Sequence, residues 1–104
     1  MSTKPGAGLT IGFFGNALSE MAEKVRAFED EVLALLPAHG ALVQFRGRRQ
    51  EGQPEDRPAE FHVLWFPSEA SFNAYLSDPQ RAEILARYGE VFSDKVVVRL
   101  DPVE

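Results

Sequence analysis

The sequence predicts an α+β fold of order βαββαβ: a four-stranded antiparallel sheet with two helices on one face. Alternating apolar residues recur in four short stretches, and two other stretches carry apolar residues at three- and four-residue steps. Each helical stretch lies between two strand-like ones, so two βαβ crossovers build a single sheet. At 104 residues the chain suits one domain.

Met1 to Gly8 reads as a flexible leader, with the domain over 9–104; the leader has one Lys and no apolar stretch, so it lacks the pattern of a secretion signal. Leu9 to Gly15 is the first strand, since Leu9, Ile11 and Phe13 alternate with Thr10 and Gly12. Asn16 to Ser19 offers capping side chains. Leu18, Met21, Ala22, Val25, Phe28, Val32, Leu35 and Leu36 then form the stripe of an amphipathic helix. Its acids, from Glu20 to Glu31, read mostly as a solvated face, and Pro37 ends it before a left-handed turn at Gly40. His39, just past the helix end, is placed to complement its dipole.

Ala41 to Arg48 and Glu60 to Phe66 alternate again around a loop rich in charge, Gly and Pro, which makes a hairpin with a long connection. Pro67-Ser68-Glu69 is a strand exit followed by a helix cap with an acid in the first turn. Phe72, Tyr75 and Leu76 begin that helix's stripe, Asp78-Pro79 interrupts it, and Ile84, Leu85 and Tyr88 resume it. Asp94 to Leu100 is the last strand. The order is that of the ferredoxin-like arrangement, with the first and third strands central.

Composition excludes several classes. Eleven Lys and Arg against sixteen Asp and Glu leave a net charge of −5, against a nucleic-acid or anionic-membrane binder. With no Cys, disulfides, thiol nucleophiles and iron–sulfur clusters are ruled out. His39 and His62 are the two imidazoles, and no metal site is expected. Apolar runs such as Leu33 to Leu36 are too short to cross a membrane, so a cytoplasmic protein is expected. The dinucleotide, P-loop and G-x-S-x-G motifs are all missing.

Alternation sorts the strand residues into two sets. Leu9, Ile11, Phe13, Val43, Phe45, Phe61, Val63, Trp65, Val96, Val98 and Leu100 are apolar throughout and are expected under the helices. The other set holds Gln44, Arg46, His62, Lys95 and Arg99, but also Phe14, Leu42, Leu64, Phe66 and Val97. A face meant for water would not carry those five together, so they are expected to form a homodimer interface.

The βαββαβ order, the two-sided sheet and the run Phe66-Pro67-Ser68-Glu69-Ala70-Ser71-Phe72, continuing to Tyr75-Leu76-Ser77-Asp78-Pro79, resemble the dimeric α+β barrel superfamily. That group includes antibiotic-biosynthesis monooxygenase-like proteins and uncharacterised branches. The resemblance covers about residues 9–101 and implies dimerisation through the sheets. In enzymes of the group, it implies a pocket between sheet and helices or inside the barrel. Trp65 and Asn16 invite comparison with haem-degrading members, but no His occurs between Ser68 and Ser93, where the resemblance would require an iron ligand.

His62 is the candidate general acid or base, because imidazole titrates near neutrality and Glu60, two residues earlier on the strand, can steer it. Arg46 and Arg99 are candidates to hold an anionic group, with Gln44, Trp65 and Phe66 contacting the rest of a substrate. Two function classes follow. One is a cofactor-free enzyme of oxygenase or isomerase type acting on a small apolar or aromatic metabolite; the other is a non-catalytic dimeric ligand-binding or scaffold protein. A pocket touching His62 favours the first and a tightly filled barrel the second.

Overall fold

The computed structural model describes residues 8–103. All of the expected leader except Gly8 lies outside the described residues. The elements are β1 (Leu9–Ala17), α1 (Ala22–Leu33), a 3-10 turn (Leu36–His39), β2 (Leu42–Arg48), β3 (Glu60–Phe66), α2 (Glu69–Leu76), α3 (Pro79–Tyr88) and β4 (Phe92–Leu100). The sheet order is β2-β3-β1-β4, antiparallel throughout, with β1 and β3 central as expected. No helix among the described residues is long and apolar enough to cross a membrane.

Local chemistry sets the boundaries. The Ser68 hydroxyl accepts the Ser71 N–H at 3.0 Å and starts α2. Asp78 accepts the Gln80 N–H at 2.8 Å, and Pro79 supplies the first residue of α3. The interrupted second helix is therefore two helices, each with its own cap. Gly40 takes the left-handed conformation, φ 69°, after the 3-10 turn. One capping expectation is refined and one corrected. His39 closes the 3-10 turn instead of following α1 directly, and its Nε2 lies 2.7 Å from the Asp78 carboxylate, tying that turn to the start of α3. Asn16 stays in β1 and donates to the Asp56 carbonyl at 3.3 Å, while α1 begins after Met21 without a side-chain cap.

The cross-strand register revises which residues face the helices. Leu9, Ile11 and Phe13 lie beneath them, and their partners on β3 are Phe66, Leu64 and His62. Directly opposed residues share a face, so these three are beneath the helices too. Ile11 and Phe13 likewise oppose Arg99 and Val97 on β4. Phe61, Val63, Trp65, Val96, Val98 and Leu100, expected inside, instead form the open face with Thr10, Gly12 and Phe14. On β2 the ladder shifts between Val43 and Phe45, leaving Val43 opposite Leu64 and Phe45 opposite Val63, on different faces.

Hence Leu64 and Phe66, expected at an interface, are only 6% and 0% exposed and are sealed within the protomer. Val97 also turns to the helix side, whereas Phe14 and Leu42 do lie on the open face. The reason is that both residue sets of β3 and β4 are largely apolar, and alternation separates two faces without saying which is buried.

The core divides into two clusters. Ile11, Leu33, Leu36, Leu64, Phe66 and Tyr75 pack under α2. Val25, Phe28, Val32, Ile84, Val91 and Phe92 pack under α3. The break at Ser77–Asp78 lets the two helices follow different courses over the sheet.

Candidate functional site

Between sheet and helices, where the two clusters meet, lies a cavity of about 210 Å³. Its apolar wall includes Phe13 and Leu64 from the sheet, Phe28 from α1, and Phe92 and Val97 from β4. The polar groups on it are Glu29 from α1, His62 from β3, Arg81 from α3, Lys95 from β4 and Glu90 from the preceding turn.

His62 is 2% exposed, and its ring stacks on Phe13 with centroids 5.1 Å apart. Its Nε2 lies 2.7 Å from Oε1 of Glu60, itself 1% exposed. Arg46, opposite His62 on β2, closes a fork on the same carboxylate, donating from Nε at 2.9 Å and Nη2 at 3.0 Å. Its Nη1 donates to Asp30 of α1 at 2.7 Å. Burial alone would raise the Glu60 carboxyl, but the hydrogen bonds from His62 and Arg46 outweigh it and hold the group below its ordinary range. Arg46, bound chiefly by Glu60, is held more firmly protonated still.

Glu29 is 5% exposed, and no hydrogen bond from a described residue reaches its carboxyl. Burial, opposed by His62, reinforced by the Glu60 charge and opposed again by Arg46 and Arg81, pushes it up to about 7. Arg81 lines the same cavity: its Nε is buried without a partner among the described residues, and its guanidinium stands 5.1 Å over the Tyr75 ring. The Tyr75 hydroxyl is committed, donating to the Val32 carbonyl at 3.1 Å.

Of the residues proposed from the sequence for catalysis or substrate contact, His62 is at the cavity and the others lie elsewhere, while Leu64 and Val97, expected at the interface, line the cavity too. Arg46 is consumed by Glu60 and Asp30, and Arg99 makes an exposed two-point pair with Glu69 at 2.8 and 2.7 Å. Gln44 sits at the irregularity on the edge strand, Trp65 lies on the open face, and Phe66 packs against Phe72 and Tyr75. Glu29 and Arg81 were missed. Glu29 had a readable signal: it falls four residues after Val25 and four before Leu33, on the buried stripe instead of the wet face. Among the described residues no group of three or more acidic or His side chains is placed to hold a metal.

No family model matches the chain, and no curated protein matches it by sequence. Solved structures do. A protein of unknown function from Rhodopseudomonas palustris is 18% identical, with a TM-score of 0.72, covering 98% of this chain and 87% of its own. A candidate antibiotic biosynthesis monooxygenase from Bacteroides thetaiotaomicron is 15% identical, with a TM-score of 0.74, covering 93% of this chain and 90% of its own. A dimeric ferredoxin-like protein of unknown function from Thermobifida fusca is 17% identical, with a TM-score of 0.64, covering 96% of this chain and 95% of its own. At such identities the likeness speaks to architecture. The chain shares with these structures the ferredoxin-like fold that its element order predicts.

Proposed function

We propose that the protein is a homodimer joined through its open sheet faces, and that each protomer binds a small apolar or aromatic metabolite in the cavity and acts on it by proton transfer, without a cofactor, as an oxygenase or isomerase would. The observation that carries this reading is a cavity of about 210 Å³ with His62 and Glu29 on an otherwise mainly apolar wall. An apolar pocket with a few convergent polar groups, one of them a carboxyl titrating near neutrality, is the usual setting of acid–base chemistry. In this reading His62, backed by Glu60 and Arg46, is the proton-transfer group.

The homodimer is supported by the open face, where Phe45 is 54% exposed, Phe61 41% and Val96 42% on one sheet surface. A contiguous apolar surface of that kind marks an association site. The similar ferredoxin-like protein from Thermobifida fusca is dimeric.

The test is a fragment screen of single-ring compounds by amide-resolved NMR on the intact protein. Perturbations grouped on Phe13, Leu64, Phe92 and Val97 are expected. Perturbations confined to the open sheet face, or none, would overturn the cavity as the binding site.

A further inference from the structure

Two polar groups face the same mainly apolar cavity without pairing with each other: the carboxyl of Glu29, on a residue 5% exposed and reached by no hydrogen bond from a described residue, and the Nε–H of Arg81, buried without a partner among the described residues. Buried polar groups are normally satisfied, and those left over in a native structure call for a partner. Each is held by its surroundings. Glu29 projects from the buried stripe of α1, and Arg81 is stacked on Tyr75, whose own hydroxyl is tied to α1 through Val32. His62 differs from both, because its Nε2 is already engaged by Glu60.

We propose that Glu29 and Arg81 together read the polar end of the cavity's ligand, and that this ligand is an uncharged single-ring molecule whose hydroxyl donates to Glu29 and accepts from the Nε–H of Arg81. The inference rests on the cavity reading above and narrows its substrate class.

Size, wall and charge each select for such a molecule. An apolar cavity of about 150 Å³ accommodates benzene, so about 210 Å³ accommodates one ring with small substituents. Phe13, Phe28, Phe92 and Leu64 supply the apolar surroundings for the ring. A ligand carboxylate would meet the Glu29 and Glu90 carboxyls, and a ligand ammonium would meet Arg81 and Lys95. The Glu60 carboxylate and Arg46 guanidinium behind His62 satisfy one another and favour neither sign. A hydroxyl is the smallest group that both donates and accepts. The Glu29 carboxyl, titrating near neutrality, can accept from it when ionised.

The experiment compares four probes built on ethylbenzene by NMR titration of the full chain at neutral pH: 4-ethylphenol, ethylbenzene itself, 4-ethylbenzoate and 4-ethylbenzylamine. The phenol is expected to bind about tenfold more tightly than ethylbenzene, and the two charged probes more weakly than the phenol. Glu29→Leu is expected to abolish the preference for the phenol while retaining ethylbenzene, and Arg81→Met to reduce it several-fold without disturbing the α1 stripe. Equal affinity for phenol and ethylbenzene in the wild type, tighter binding of a charged probe, or a preference that survives both substitutions overturns the proposal but leaves the cavity reading standing. Failure of every probe to perturb the cavity residues overturns both.

Discussion

The Nε2 of His62 lies 2.7 Å from the Oε1 of Glu60, two residues earlier on the same strand, and both side chains are almost wholly buried. Strand alternation puts them on one face, and the β2–β3 register brings Arg46 opposite to complete the cluster. A buried carboxylate is tolerated only when charge and hydrogen bonds compensate it, which makes Arg46 the pivotal partner.

Removing that partner should therefore cost far more than removing the outer ion of the chain. Arg46→Met is expected to destabilise the protein by about 3 kcal/mol, because it removes the permanent positive charge and two hydrogen bonds from the buried Glu60 carboxylate and leaves it His62 alone. Asp30→Asn, at a side chain 59% exposed, should cost about 0.5 kcal/mol or less. Urea unfolding midpoints decide the comparison; equal losses for the two would contradict a buried, Arg46-dependent carboxylate.

The acid limb of the stability profile follows from Glu60. Its folded carboxyl is held below the ordinary 4.5, so the unfolded chain binds the proton more readily. The stability it contributes is present above about pH 4.5 and is lost as pH falls through the depressed value. In Glu60→Gln this part of the acid limb should flatten, measured by thermal unfolding between about pH 5 and pH 2.

Glu29 acts in the opposite sense. Its folded value, raised from 4.5 to about 7, means that the folded state binds the proton more readily. Stability is full below about pH 4.5 and declines as pH rises through about 7, by on the order of 3 kcal/mol in all. Glu29→Gln should remove this decline and leave the variant more stable than wild type at pH 8. A wild-type curve that is level from pH 5 to pH 8 would show that Glu29 is not buried in a protonatable state.

The two faces of β3 are separable by one substitution on each. Phe61→Glu places a charge on the open face, which a protomer tolerates and a sheet-to-sheet dimer does not; light scattering should show a folded monomer. Leu64→Glu puts the same charge into the first core cluster and should unfold the chain, with loss of the circular dichroism signal. A Phe61→Glu protein that remains dimeric would remove the open face from the assembly.

Gly15 is a packing constraint. It sits on the helix side of β1 beneath the Phe92 ring, and a Cβ there would stand 2.9 Å from the Phe13 ring as well. Gly15→Ala should cost about 1–3 kcal/mol by forcing both rings from their positions, read as a lower denaturation midpoint. Because both rings line the cavity, ring-compound binding should weaken alongside.

The element order, the central position of β1 and β3, the Ser68 and Gly40 boundaries and the Asp78-Pro79 break were all legible in the sequence, because each depends on neighbours within a few residues: side-chain period, a capping hydroxyl, a residue permissive of positive φ, a ring that closes off an N–H. What tertiary structure alone decided was which face of β3 and β4 is inside. Leu64 and Phe66 are as apolar as Val63 and Trp65, and the choice between the pairs is made by their register against Ile11 and Leu9 on another strand. The cavity belongs to the same category. Glu29, His62 and Arg81 come from three elements far apart in the chain, and the space between them exists because α2 and α3 pack over separate clusters. Local patterning determines where each element begins and ends, but burial, and with it the raised carboxyl of Glu29, is a property of the assembled layers.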